Sequence, residues 1–580
     1  MKKLIMAIAF VLALSCTPRL KDGDYSLTVL STNDVHGTWF DSTYVGGGVK
    51  KSLMAMNYYI DSVRVAEGAD NVLLIEVGDC LQGDNAAYYY NYVDTLSPHL
   101  FPRLLDYMHY DAVVWGNHDV ETGHKVYDRV NRELTAFGIP FMAGNAIRND
   151  NGKPYFTPYK MVRRSGLNIA ILGYENANIK AWLAEEVWSG MHFDRIVSQV
   201  QKDVDEVRAK EHPDVVIVGV HSATGEGDGS NPEAEGMDVF NHVRGVDWVL
   251  TSHDHKPYVE SRDSIALMNS GSHSRFVACG KMHLTVKDGK VVSKTLEPSL
   301  IPVDAAKADP QMRAHFRKEF EAVRDFTRQE VGVLVSNLRT RDAYTGPSDY
   351  INLIHTLCLG CPPAELSIAA PLTYNSTVPA GTLIFNDLFT IYPFENQLYV
   401  ITMSGEEIKD YLEASYDRWI NTYAGAGSHI LKIVKKDNLR WQQNRWSFEG
   451  LPYNFDSIAG LNYTVDVTKP RGERIGIGSL ADGSAFDPSR TYKVAVTSYR
   501  ASGGGDLMAE IGIDPDKIDE RVVARYPEIR NILYDYLKAV GTLDPAAFGN
   551  PNVLGSWSFV PEKLAAPVLK ADMELLFGKQ

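Results

Sequence analysis

Leu27-Thr-Val-Leu-Ser-Thr32 runs directly into Asn33-Asp34-Val35-His36-Gly37, an apolar run that stops at a polar cluster carrying a carboxylate and an imidazole. The same plan recurs along the first half of the chain. Val72-Leu-Leu-Ile-Glu-Val77 ends at Gly78-Asp79, and Ala112-Val-Val-Trp115 ends at Gly116-Asn117-His118-Asp119. Val215-Val-Ile-Val-Gly-Val220 delivers His221, and Trp248-Val-Leu-Thr251 delivers Ser252-His253-Asp254-His255. Short runs rich in Val, Ile and Leu, separated by longer amphipathic stretches, are the pattern of strands and helices in layers. The reading is therefore an α/β domain over 25–303.

In layered α/β sheets, ligands gather at the carboxyl ends of the strands. A single His after a strand is more often a hydrogen-bonded structural residue; five clusters in series imply one shared crevice. The i, i+2 pairs Asp34/His36 and His253/His255 are expected to point to one side of an extended backbone. The donors are carboxylate, imidazole and amide oxygen without thiolate, a set suited to Zn, Mn, Fe or Co. They are too many for one ion. Two ions about 3.5–4 Å apart account for them, the usual device for clamping both oxygens of a phosphoester displacement.

The rest of the chain divides around a charged stretch. Met312, Phe316, Phe320, Val323 and Phe326 recur at helical spacing, predicting one exposed linker helix over 304–331. Residues 332–545 mix strands, helices and Gly-rich turns such as Gly503-Gly504-Gly505, and read as an α+β domain. The tail 546–580 carries no clear signal. Lys2 and Lys3, an apolar run from Leu4 to Leu14 and then Ser15-Cys16 predict a lipoprotein signal peptide over 1–15, a lipid on Cys16 and an anchor linker over 16–24. The expected location is a membrane-anchored lipoprotein, periplasmic or at the cell surface. Cys358-x-x-Cys361 is open as a disulfide or a half zinc site. A net charge of −15 over 580 residues argues against a nucleic-acid polymer as partner, since such surfaces gather Lys and Arg. The chain is expected to be a monomer.

Asn33-Asp-Val-His-Gly37, Gly78-Asp79, Gly116-Asn-His118, His221 and His253-x-His255 together resemble the calcineurin-like metallophosphoesterase signature. The chain from Tyr25 to Leu543 resembles the bacterial 5′-nucleotidase and 2′,3′-cyclic-nucleotide 2′-phosphodiesterase family. That resemblance implies an N-terminal four-layer α/β/β/α domain, a linker helix and a C-terminal α+β nucleotide-binding domain. It implies Asp34, His36 and His255 on one metal, Asn117, His221 and His253 on the other, and Asp79 bridging. His118 is then the residue that stabilises the phosphoryl group or protonates the leaving oxygen, with Glu121 in the place of an acidic partner. Phe394, in Tyr392-Pro-Phe-Glu-Asn396, and Tyr499, in Ser498-Tyr-Arg-Ala-Ser-Gly-Gly-Gly505, match the segments bearing base-stacking aromatics. Asn375 falls where the 5′-nucleotidase branch carries an Asn-Gly-Gly-x-Arg motif, but the arginine is missing, and Gly505 stands where an Asp is expected. These departures lean toward the cyclic-phosphodiesterase and 3′-nucleotidase branch. The expected activity is hydrolysis of nucleotide phosphate esters to nucleoside and phosphate. The alternatives are another phosphoester such as a UDP-sugar, or a nucleotide-binding lipoprotein without turnover.

Overall fold

The computed structural model of the protein describes residues 20–435 and 446–578. The predicted signal peptide and Cys16 lie outside them. Among the described residues no helix is long and apolar enough to cross a membrane. Two compact units are present, one made of residues up to Ile179 and Glu185–Val323, the other of Lys180–Ala184 and Arg324 onward.

The first unit holds fourteen strands: β1 (Gly23–Thr32), β2 (Val72–Glu76), β3 (Ala112–Val114), β4 (Phe141–Met142), β5 (Ala146–Arg148), β6 (Tyr159–Arg164), β7 (Leu167–Tyr174), β8 (Met191–Phe193), β9 (Val215–Val220), β10 (Trp248–Leu250), β11 (Pro257–Arg262), β12 (Ile265–Ser270), β13 (Phe276–Lys287) and β14 (Lys290–Pro302). They form two six-stranded sheets, ordered β14-β13-β1-β2-β3-β4 and β11-β12-β10-β9-β7-β6, with β5 and β8 paired separately. β1, β2, β3 and β4 run parallel in the first sheet, as do β7, β9, β10 and β12 in the second. The five strands read as apolar runs, β1, β2, β3, β9 and β10, are all among them. Every residue of β2 and β9 is buried, because both faces of a parallel sheet are covered.

The inner faces of the two sheets pack into one core, with Leu27, Val29, Ile75, Val77 and Val114 on one side and Ile169, Ile171, Ile217, Trp248 and Leu250 on the other. Glycines let the sheets close: a Cβ on Gly280 would sit 2.3 Å from the Trp248 ring, and one on Gly219 would sit 2.7 Å from Val114 Cγ2. Helices Ile196–Glu211 and Gly236–His242 cover the outer face of the second sheet through Val200, Val204, Val239 and Phe240. Helix Leu53–Glu67 packs on β2 and β13 of the first. The order is helix, sheet, sheet, helix, the four-layer arrangement.

Two expectations need correction. In place of one exposed helix over 304–331 there are two, Pro310–His315 and Arg317–Thr327, followed by a strand from Glu330. The break at Phe316 (φ −98°, ψ 21°) seats that ring, 1% exposed, against Tyr107 and Arg103. Met312, Phe316 and Val323 are buried, so the apolar stripe is a core face. The tail is likewise built into the second unit over its described residues 546–578: Gly555–Val560 pairs parallel with Leu461–Asp466, and helix Glu562–Phe577 follows.

The second unit centres on a five-stranded sheet ordered Ser457–Ala459, Leu366–Ala369, Thr491–Thr497, Gln397–Ser404 and Val522–Glu528. Its core is aromatic: Tyr411, Tyr416, Trp419, Phe455, Trp557 and Phe559 pack together. Cys358, near the end of helix Asp349–Leu359, and Cys361 are both buried free thiols.

Candidate metal centre

Three of the five ligand-bearing turns, those after β1, β2 and β10, leave their strands through left-handed backbone. Asp34 (φ 49°), His36 (φ 46°), Asp79 (φ 61°), His253 (φ 70°) and His255 (φ 59°) all adopt it. The i, i+2 pairs therefore reach the site by turning and not along an extended pleat, as their spacing suggested. Each such residue costs about 1–3 kcal/mol and persists only where its surroundings over-determine it. Here a backbone ladder does so: Asp34, His36 and Gly37 donate N–H bonds to the carbonyls of Gly78, Asp79 and Cys80 at 3.0, 3.0 and 3.1 Å. Buried Asp119 accepts four more N–H groups, from Gly116 (3.0 Å), Asp79 (3.1 Å), Cys80 (2.8 Å) and Leu81 (2.8 Å), tying the β2 turn to the β3 turn. Gly116 is needed at that junction, because a Cβ there would lie 2.3 Å from Asp79 N.

These turns bring two triads together. Asp34, His36 and His255 form one, and Asp79, His221 and His253 the other; within each, the candidate donor atoms lie within 4.8 Å of one another. In the first triad, His36 Nε2 is 2.9 Å from His255 Nε2, which is 3.6 Å from Asp34 Oδ1. In the second, His221 Nε2 is 3.2 Å from Asp79 Oδ2, and Asn117 Oδ1 sits 3.0 Å from His221 Nε2 and 2.9 Å from His253 Nδ1. All seven residues singled out as ligands thus meet. Asp79 also accepts from the His118 N–H at 2.8 Å. His118 lies edge-on to His36, ring centroids 5.3 Å apart, and its Nδ1 is 2.6 Å from Glu121 Oε2.

Burial dominates the electrostatics. It pushes the Asp34 carboxyl up to about 8, and it holds His36 well below and His255 down to about 3. Burial also presses upward on Asp79, but the charges of His221 and His118 outweigh it and hold that carboxyl well below its usual range. For His118 burial opposes protonation, while the Asp79 and Glu121 carboxylates prevail and raise it to about 9. His36 and His255 as neutral imidazoles and Asp79 as a carboxylate are in the states that ligation requires, whereas Asp34 is raised by burial and His221, against burial, by the Asp79 charge, so each keeps a proton that a cation would displace.

Several supporting groups escape a reading of the sequence. Asn33 bonds Asp34 Oδ2 (2.6 Å), the Gly271 carbonyl (2.6 Å) and the Ser270 N–H (2.9 Å). His273, one turn beyond β12, stacks on His36 with ring centroids 5.1 Å apart. The signal available for it was a sixth strand ending in a polar cluster, Ser272-His273-Ser274.

In the second unit Phe394 and Tyr499 are half-buried, and Tyr453 is edge-on to both, at 6.0 Å (76°) and 6.4 Å (82°). Buried Arg500 fixes this group by bonding the Tyr453 carbonyl (3.0 Å) and pairing with Asp456 (2.9 Å), which also accepts from Tyr411 (2.6 Å). The Tyr499 ring lies over Gly504, where a Cβ would come within 2.3 Å of it. Asn375 stands exposed in the loop before Thr377–Val378.

The calcineurin-like phosphoesterase family matches residues 27–257, and the 5′-nucleotidase C-terminal domain matches residues 326–510. The chain belongs to the two-domain 5′-nucleotidase family of calcineurin-like phosphoesterases. This phosphoesterase is 25% identical over 613 aligned residues to a 2′,3′-cyclic-nucleotide 2′-phosphodiesterase/3′-nucleotidase of Haemophilus influenzae, covering 93% of this chain and 88% of that protein. It is 22% identical to a 5′-nucleotidase of Vibrio parahaemolyticus, covering 90% and 91% of the two chains. In fold it matches a crystal structure assigned as a 5′-nucleotidase from Staphylococcus aureus, with a TM-score of 0.74, 21% identity and coverage of 92% and 99%. The family implies divalent metal ions, and the phosphoesterase's donors fit them: each triad joins two imidazoles to one carboxylate, and Asn117 adds an amide oxygen beside the second. Oxygen and imidazole donors without thiolate suit borderline divalent cations.

Proposed function

We propose that this phosphoesterase hydrolyses nucleotide phosphate esters, with a preference for 2′,3′-cyclic nucleotides and 3′-nucleotides, using two divalent cations. The observation that carries the reading is the meeting of two imidazole-carboxylate triads with His118 and Glu121 at their edge. Asp34, His36 and His255 would hold one cation, Asn117, His221 and His253 the other, and Asp79 would bridge. When bound, such a pair supplies Lewis-acid charge for the phosphoryl oxygens and a water of lowered pKa. The chain's own groups do the rest. Glu121 lies at Nδ1 of His118 and favours the protonated ring, so Nε2–H would be the proton left to offset charge on the phosphoryl group or to pass to the departing oxygen. Phe394 and Tyr499, set at right angles to Tyr453, would form the walls of a slot for the base. Stacking there is worth about 1–3 kcal/mol and tolerates any base.

The preference for cyclic and 3′ substrates rests on the missing arginine near Asn375, on Gly505, and on the likeness to the Haemophilus influenzae protein. Mn, Zn, Co and Fe all suit the donors. Export as a lipoprotein anchored through Cys16 follows from the Leu12-Ala-Leu-Ser-Cys16 stretch. The test is phosphate release from 2′,3′-cyclic AMP, 3′-AMP, AMP and UDP-glucose with Mn, Co, Zn or Mg. The cyclic and 3′ substrates are expected to exceed AMP at least tenfold in kcat/KM. A preference for AMP or UDP-glucose would refute the branch, and no turnover with any metal would refute the activity.

A further inference from the structure

Glu233 lies in the Gly-rich loop that follows β9, a segment without hydrophobic period and thus silent in the sequence. In the structure its Oε1 is 3.1 Å from Nε2 of His253, while the other ring nitrogen, Nδ1, faces the second triad 2.9 Å from Asn117 Oδ1. A neutral imidazole carries one proton on one of its two nitrogens, and only the bare nitrogen can hold a metal. A carboxylate can only accept, so Nε2 is the protonated nitrogen and the lone pair is left on Nδ1, toward the site. His221 shows the same logic with a different partner: its Nε2 faces Asn117 and Asp79, and its Nδ1 donates to the Val77 carbonyl at 2.8 Å. The carbonyl is neutral. The carboxylate adds charge and makes the ring it orients a stronger donor.

The geometry points to Glu233 as the positioning residue of the second triad: it fixes the His253 tautomer and ring angle, and so sets that triad's affinity for its cation. This inference rests on the two-cation reading above. A side chain that is 45% exposed would by itself form only a weak surface pair. The difference lies in how its backbone is held. The Glu233 carbonyl accepts from Asn176 Nδ2 (3.0 Å), Ser222 Oγ (3.0 Å) and Ala223 N–H (3.2 Å), and its own N–H donates to Asn231 Oδ1 (2.9 Å). Asn176 and Ser222 lie just beyond the ends of β7 and β9, so the carboxylate is delivered to His253 from two buried strand ends, one of which also carries His221.

Calorimetric titration of the metal-free full chain with Mn²⁺, together with the electron paramagnetic resonance spectrum of the bound ions, tests this without reference to turnover. Glu233→Ala is expected to weaken one of the two ions by about 10–100-fold, the range for loss of an outer-shell partner, and to leave the other within about threefold. Glu233→Gln keeps an oxygen that accepts from Nε2–H and is expected to stay within about fivefold of the parent. Glu233→Ala binding both ions as tightly as the parent overturns the proposal, and so does Glu233→Gln falling as far as Glu233→Ala. His253→Ala separates this from the underlying reading. If it loses an ion while Glu233→Ala does not, only the positioning role fails; if it binds both ions as the parent does, the metal centre itself is wrong.

Discussion

His118 has a ring nitrogen bonded to a carboxylate, a backbone N–H bonded to Asp79, and no place in either triad. It is thus the group whose removal should cost rate without costing metal. His118→Ala is expected to lower kcat by about 10²–10⁴-fold, the usual worth of a positioned acid, with Mn²⁺ stoichiometry unchanged. A loss under tenfold, or a lost ion, would show the assignment to be wrong. The same residues predict how the metal-free protein responds to pH. His118 is raised to about 9, and burial raises Asp34 and Glu76 to about 8. All three bind more protons folded than unfolded over this interval, so stability must fall as pH rises from about 6.5 to 9. Of the three, Asp34 is a ligand, and a cation would take the place of its proton. Thermal unfolding of metal-free protein should therefore show Tm falling across that interval, with Mn²⁺ restoring it most at the alkaline end. A metal-free Tm that rises with pH would contradict these protonation states.

At the scale of elements, the strands carrying the ligands were legible because burial on both faces leaves an unbroken apolar run, and a run that stops at Asp, Asn or His sets a polar side chain at the carboxyl end of a buried strand. What could not be read was how the turns are held. Asp119 follows His118 in the chain and looks like another ligand, yet its carboxylate is consumed by four backbone N–H groups. Tyr453 lies on a single 3-10 turn, Pro452–Asn454, and Glu233 on a loop, and neither is long enough for a period to mark which way a side chain faces. Gly116 shows the cost of disturbing a turn: a Cβ there would meet Asp79 N at 2.3 Å and Asp79 Oδ1 at 2.5 Å. The first is held by Asp119 and the second by the His118 N–H, so neither is free to give way. Gly116→Ala is expected to displace Asp79 and to cost at least one bound ion after dialysis, measured by elemental analysis. Retention of both ions at parental affinity would mean that the junction is softer than its hydrogen bonds indicate.

At the scale of the whole molecule, the α/β reading of the first unit held because its periodicities are local. The second unit's boundary was missed because its last strand and helix join the core from far along the chain. Helix Glu562–Phe577 contains Pro567, which signals a break in sequence, and its buried residues Ala565, Leu569 and Leu576 show only when the partner surface is known. Gly555–Val560 likewise gains its meaning from pairing with Leu461–Asp466, nearly a hundred residues earlier. Trp557 tests how far this segment supports the unit. Its ring stacks on Tyr463 at 6.0 Å and meets Trp419 and Tyr416 edge-on at 5.7 and 5.5 Å. Truncating a buried aromatic of this kind typically costs about 3–5 kcal/mol. In calorimetry of the full chain, Trp557→Ala is expected to lower the unfolding transition of the second core. Mn²⁺ should raise that of the first by mass action, about 2.7 kcal/mol at a hundredfold excess over Kd, because its donors all lie in that unit. If Trp557→Ala leaves every transition in place, the C-terminal strand and helix are an appendage and the sequence-based boundary at 545 is the better one.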